Sequence, residues 1–263
     1  MRINRRHFLA SALAAGAMAR HGFAQPAPLE LSGNRFLTFN TLVRVNQIEA
    51  GRDQLIGTDE AALHTPETAR LFRETFATCW PGARITWAFS WLALQDQREN
   101  YRDIRALVAE YRKTYGDDVT FIPGGYFANM YNSRAQVDAD IHEGLALAEA
   151  FSGAKPQSLV AGFLAAENIR HLVEREGVPV CQGNIWSQYA VDNGDGEGSI
   201  CYPYYPSTEH FCKPAQGPDD FIPCANLDGW TCDFVSARRT GNDDKHNSRM
   251  GVGPIETLNA YGL

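Results

Sequence analysis

The sequence predicts an α/β fold: strand–helix units repeat around a parallel sheet, flat or closed into a barrel. Three observations predict it. Segments rich in β-formers alternate with segments of helical periodicity along the chain. The connections that return from helix to strand are short. One strand, 159–166, is apolar at every position and broken only by Gly162, which is the composition of a strand buried on both faces of a parallel sheet.

The first predicted strand covers 35–45 and runs into the polar stretch Asn46-Gln47-Ile48-Glu49 and a loop. Thr65 then caps a helix with Pro66 at its first position and an apolar face of Leu71, Phe72 and Phe76. The second strand is 84–94. The helix at 98–115 carries Tyr101, Ile104, Val108 and Tyr111 on one side, and the third strand, 119–123, ends at a Gly124-Gly125 turn. Ser133 and Gln136 form a capping box. It opens a helix with Val137, Ile141, Leu145 and Ala148 inward and Gly153 as its stop. The fourth strand, 159–166, hands over at Glu167 to a helix marked by Ile169, Leu172 and Val173 and stopped by Gly177. The fifth strand is 178–181. A long irregular region, 182–220, follows, and it is too rich in Tyr, Trp and Phe to read as disordered. A sixth strand, 221–227, ends at Asp228-Gly229-Trp230, and 233–263 reads as helix and polar loop. A barrel of seven or eight units would therefore be incomplete, its closing strand missing at the C-terminus.

With 263 residues, 44% of them hydrophobic, the chain can bury one large core. No apolar run reaches the ~20 residues of a membrane span. Asn4-Arg5-Arg6-His7-Phe8-Leu9, followed by a small apolar stretch and Gly22-Phe23-Ala24, resembles a twin-arginine signal peptide. The expected organisation is a signal peptide at 1–24 and one domain at 25–263. The implied location is periplasmic or secreted, with the twin-arginine export machinery as a transient partner. Removing 1–24 takes four arginines and no acid, moving the net charge from −7 to −11. A chain this acidic is repelled by phosphate backbones, which disfavours nucleic acid as a partner.

The cysteines form no Cys-x-x-Cys pair, so a structural zinc site is poorly supported. One or two disulfides among Cys201, Cys212, Cys224 and Cys232 fit an exported protein, and Cys181 reads as a core residue. The mature histidines lack His-x-x-x-His spacing, and the acidic run 192–198 lacks the register of a calcium loop. No metal site and no cofactor are expected. No phosphate loop, dinucleotide fingerprint or Gly-x-Ser-x-Gly elbow occurs.

Polar and aromatic groups gather at the predicted strand ends: Asn40, Arg44, Asn46 and Glu49, then Tyr126, Glu167, Gln182, Asn184, Trp186, Gln188, Tyr189, Asp228 and Trp230. Amides and carboxylates satisfy sugar hydroxyls, and aromatic faces stack on the apolar side of a pyranose. Each has an ordinary alternative as a loop cap or core residue; it is their coincidence at several strand ends that suggests a sugar cleft. Glu167 and Asp228 make the pair that glycoside cleavage requires, nucleophile or base and acid/base respectively.

Gly162-Phe163-Leu164-Ala165-Ala166-Glu167 is similar to the Gly-aromatic-Trp-x-x-Glu segment of family-57 glycoside hydrolases, with Leu164 in place of the Trp. More broadly, 35–260 resembles an uncharacterised family of exported bacterial proteins in the glycoside hydrolase/deacetylase superfamily. The segments Phe39–Asn46, Pro123–Phe127, Gln182–Gln188 and Asn226–Thr231 carry that likeness. The resemblance implies a (β/α)7 barrel and, for Glu167, a nucleophile's role. The superfamily's deacetylases hold a metal with a first-strand Asp and a histidine pair. Asn40 stands near that Asp position and the pair is missing, which disfavours the metal-dependent reading. The expected function is an exported carbohydrate-active protein that hydrolyses glycosidic bonds of an oligo- or polysaccharide. The alternatives are a non-catalytic glycan-binding barrel and, third, a deacetylase.

Overall fold

The computed structural model describes residues 39–126, 128–160, 164–184, 203–211 and 213–228. The segment 1–24, the acidic run 192–198, Trp186, Gln188, Tyr189 and Trp230 lie outside these residues. The chain divides into two units, one of Met1–Leu37 with Phe72–Ala83 and the other of Thr38–Leu71 with Arg84–Leu263.

The larger unit is mixed α/β with parallel sheets. Strands β1 (Asn40–Val43), β4 (Thr86–Phe89) and β5 (Asp118–Phe121) form one parallel sheet, in the order β1-β4-β5. Strands β6 (Leu159–Val160), β7 (Val180–Asn184) and β8 (Ala225–Asp228) form another, in the order β6-β7-β8. The Thr120 hydroxyl donates to the Ser158 carbonyl and so ties β5 to the start of β6. Leu42, Ala88, Ile122 and Val160, from four successive strand–helix units, pack into one apolar cluster. Both sheets thus share an interior, although no ladder joins β5 to β6 or β8 to β1 among the described residues.

Alternate residues of the same strands face the helices. The Phe89 ring meets Phe151 edge-on at 5.1 Å, and Trp87 lies 6.1 Å from Tyr111. The helices involved are α3 (Glu99–Tyr115) and α5 (Arg134–Ser152). Tyr101, Ile104, Val108 and Tyr111 of α3 are buried as their spacing predicts, and so are Val137, Ile141, Leu145 and Ala148 of α5. Ser133 caps α5 by accepting from the Gln136 amide, and Gly153 ends it in the left-handed region at φ 76°. Helix α5 approaches β5 so closely that a Cβ at Gly144 would lie 2.5 Å from the Phe121 ring.

Several boundaries differ from the sequence reading. The polar stretch after β1 and part of the loop expected to follow it are strands: β2 (Asn46–Glu49) and β3 (Leu55–Asp59) form an antiparallel hairpin. The second strand stops at Phe89, where Ser90 caps the short helix α2 (Trp91–Gln95). An apolar run of Trp-Leu-Ala-Leu fits either state, and a capping serine decides it. Among the described residues the fourth strand covers Leu159–Val160, and α6 (Ala166–Glu174) has begun by Glu167. The fifth runs on to Asn184, and the sixth begins only at Ala225. Helix α1 (Pro66–Cys79) is capped by the Thr65 hydroxyl, which accepts from the Thr68 amide. Leu71 is not on its apolar face and is 68% exposed; it sits about 100° around the helix from Phe72. Cys181 is buried, as expected of a core residue; Cys224 is buried as well, and the other three candidates for pairing lie outside the described residues.

Within the smaller unit, Phe72, Phe76 and Trp80 stack along α1 and its end, with centroids 4.9 and 5.5 Å apart. The Arg73 guanidinium donates to the Ala83 carbonyl at 3.0 Å.

Candidate functional site

Parallel strands bring their carboxyl ends to a common rim, where α/β proteins bind ligands. After β1 come Arg44 and Asn46. The Arg44 guanidinium pairs with Glu60 through two bonds, of 2.5 and 2.9 Å. Burial acts to raise the Glu60 carboxyl's pKa, but His64, 4.0 Å away, and the Arg44 guanidinium outweigh it and hold it at about 2. Asn46 is buried, and its Oδ1 accepts from the Ile48 amide at 3.2 Å, shaping the entry to β2.

The strongest polar anchor at this rim is Glu49, which is 2% exposed. Its carboxylate accepts from the Ser90 hydroxyl at 2.6 Å, the Leu92 amide at 3.0 Å and the Val45 amide at 3.0 Å. One side chain therefore locks the β2–β3 hairpin onto the carboxyl end of β4 and the start of α2.

After β5 the chain makes a 3-10 turn, Pro123–Tyr126, which places Tyr126 at its end, and then the short helix α4 (Ala128–Tyr131). From α4, the Asn129 amide donates to Asn168 Oδ1 at 2.8 Å. Asn168 is fully buried. Its Oδ1 also accepts from the Ala165 amide, and its Nδ2 donates to the Arg134 carbonyl at 2.9 Å and the Asp138 carboxylate at 2.6 Å. This fixes the first turn of α6, which carries Glu167, against the first turn of α5. Glu167 pairs with Arg134; the two side chains are 54% and 62% exposed.

In the second sheet, Gln182 is buried and donates to the Ser158 hydroxyl at 3.3 Å. Asn184 and Asp228 are ladder partners at the carboxyl ends of β7 and β8. Those two sequence-predicted residues are thus neighbours. Asn40 lies at the other end of its strand: it opens β1, two residues before Leu42. Sequence reading placed Glu49 among the strand-end polar groups without its anchoring role. It missed Ser90, Asn168 and Arg134. Ser90 had a signal, a serine directly before an apolar run. Asn168 had none, because apart from the Ala165 amide its partners come from α4 and α5.

No group of three or more His, Cys, Asp or Glu side chains placed to hold a metal occurs among the described residues. His142 and His171 both turn to the Glu176 carboxylate, at 3.1 and 3.2 Å. No described helix is long and apolar enough to cross a membrane.

A family described as a domain of unknown function with solved structure, DUF3863, matches residues 29–263. The chain belongs to the DUF3863 family. No curated protein matches it. A crystal structure from Parabacteroides distasonis, provisionally described as a glycoside hydrolase/deacetylase, is similar to this DUF3863 chain at 44% identity and a TM-score of 0.69. The match covers 90% of this chain and 56% of that one, so the DUF3863 chain spans just over half the length of this relative. A GH57-type branching enzyme from the hyperthermophilic archaeon Pyrococcus horikoshii is similar at 10% identity and a TM-score of 0.43, over 73% of this chain and 46% of that one.

Proposed function

We propose that this DUF3863 chain is a carbohydrate-active domain that hydrolyses a glycosidic bond, with Glu167 as nucleophile or base and Asp228 as acid/base. The observation that carries the reading is the 44% identity, over 90% of the chain, to a protein provisionally described as a glycoside hydrolase/deacetylase. Two features of the rim are compatible with it. Glu167 opens a helix, where the dipole favours the ionised carboxylate that a nucleophile needs. Asp228 ends a parallel strand in register with Asn184, a residue type suited to a sugar hydroxyl. Arg44, Asn46, Tyr126 and Gln182 would line the same rim, with Trp186, Gln188, Tyr189 and Trp230 following strand ends further along. Asn40, at the opposite end of β1, would act from within the interior. The strands would form part of a (β/α)7-type barrel. Residues 1–24 would direct export by the twin-arginine route and then be removed.

One observation favours a second reading, a glycan-binding domain without catalysis. The Glu167 carboxylate is more than half exposed and held by Arg134, whereas glycosidase carboxylates work in sites that exclude water. Reducing-sugar release from a panel of bacterial and plant glycans decides between the two. The protein from Gln25 onward is compared with Glu167→Gln and Asp228→Asn. Release by the wild type and loss of at least about a hundredfold in each variant support hydrolysis. Equal release by wild type and Glu167→Gln removes Glu167 from the chemistry. Binding without release by any of the three leaves the binding domain.

A further inference from the structure

Residues 203–211 and 213–224, ahead of β8, build a surface that the rim does not use. Tyr204 pairs with Asn226 through reciprocal backbone bonds of 3.1 and 2.8 Å, antiparallel to β8. That direction carries the following residues toward the amino end of β8, away from Asp228. The chain then doubles back: Pro206 bridges Pro214, and the Ala215 amide donates to the Tyr205 carbonyl at 2.9 Å. Asp220 fastens the fold of this segment. Its carboxylate accepts from the Ser207 hydroxyl at 2.7 Å, the Thr208 hydroxyl at 3.0 Å, and the Thr208 and Gln216 amides at 3.1 and 3.3 Å.

On this scaffold lie Tyr205 and Phe221, 53% and 42% exposed. Their rings meet at 82° with centroids 5.5 Å apart. With Tyr204, Pro214, Gln216 and Pro218 they line an open groove of about 430 Å³. Contiguous exposed apolar surface is a feature of interaction sites. Three features point to its occupant. Among the described residues the lining contains no Asp, Glu, Lys, Arg or His, so it matches an uncharged ligand on an otherwise acidic chain. Two prolines and the Asp220 clamp hold the rings in place, so binding spends little ordering entropy. Tyr and Phe rings stack on the apolar faces of pyranoses while phenolic and amide groups reach hydroxyls.

We propose that the Tyr204–Phe221 groove is a second carbohydrate site that binds a neutral pyranose chain on aromatic faces, apart from the rim that carries Glu167 and Asp228. The choice of ligand rests on the carbohydrate reading above; the site does not share its residues.

Affinity electrophoresis in gels containing mixed-linkage β-glucan, xylan or galactomannan tests this. The wild type, Glu167→Gln, and the pair Tyr205→Ala/Phe221→Ala are compared, with near-UV circular dichroism as a check on folding. Phe221→Leu and Tyr205→Leu, which keep apolar bulk and remove the ring, replace the double variant if it does not fold. Retardation of wild type and Glu167→Gln by at least one polysaccharide, weakened about fivefold or more without the rings, is the expected result. Retardation unchanged by ring removal overturns the groove while leaving the hydrolase reading standing. Absence of retardation by all three polysaccharides overturns it too. So does a wild-type dimer in sedimentation that ring removal dissociates, because the groove then seats a second copy.

Discussion

The Ser90 hydroxyl donates to Glu49 Oε1 at 2.6 Å across 41 residues of sequence, at a site where both side chains are buried. The same hydroxyl oxygen accepts from the Ala93 amide and caps α2. The pair therefore couples three elements, the β2–β3 hairpin, β4 and α2. Replacing Glu49 by Ala leaves buried donors from Val45 and Ser90 and a part-buried one from Leu92 without this acceptor. The expected loss is about 3 kcal/mol of unfolding free energy, read by urea titration. Ser90→Ala removes one bond and the cap and is expected to cost about 1–2 kcal/mol.

Glu60 gives the protein a pH dependence. Its carboxyl titrates at about 2 in the folded chain against 4.5 ordinarily. A depressed carboxyl stabilises the fold when ionised. The contribution is complete above the ordinary value and is lost as pH falls from about 4.5 toward about 2. Its size is about 2–3 kcal/mol. Glu60→Gln should lower stability at neutral pH and flatten the stability profile across that acid range. A variant profile as steep as the wild type's would show that the Arg44–Glu60 pair does not carry it.

Gly144 faces the Phe121 ring at a separation no methyl group tolerates. Gly144→Ala should destabilise by about 1–3 kcal/mol through overpacking, despite alanine's better helix propensity. Phe121→Leu in the same chain should recover part of that loss. Thermal unfolding of the single and double variants reads both effects.

Cys224 is enclosed, and burial pushes its thiol up to about 12. Cys181 is also buried, while Cys79 is exposed. Iodoacetamide at about pH 8 should modify the folded protein at Cys79 and spare Cys181 and Cys224. Peptide mass mapping before and after urea unfolding checks this. Rapid labelling of Cys224 in the folded state would contradict the burial.

The sequence by itself determined the α/β class, the succession of strand–helix units and the buried faces of α3 and α5. These depend on residue periodicity and on local caps such as Ser133 and Gly153, and neighbours in sequence carry that information. Polar groups at strand ends were legible for the same reason: Arg44, Asn184 and Asp228 end strands or directly follow them, positions that local pattern gives, whereas Asn46 opens β2 and Gln182 lies inside β7. Only the tertiary structure decided that Asn46–Glu49 is a strand, because a four-residue polar stretch becomes one by pairing with Leu55–Asp59. Only it turned Glu49 inward onto Ser90, buried Asn168 under residues from α4 and α5, and set Glu167 outward onto Arg134. Those outcomes depend on partners 30 or more residues away in sequence, and hydrogen-bond complementarity at that distance leaves no local pattern to read.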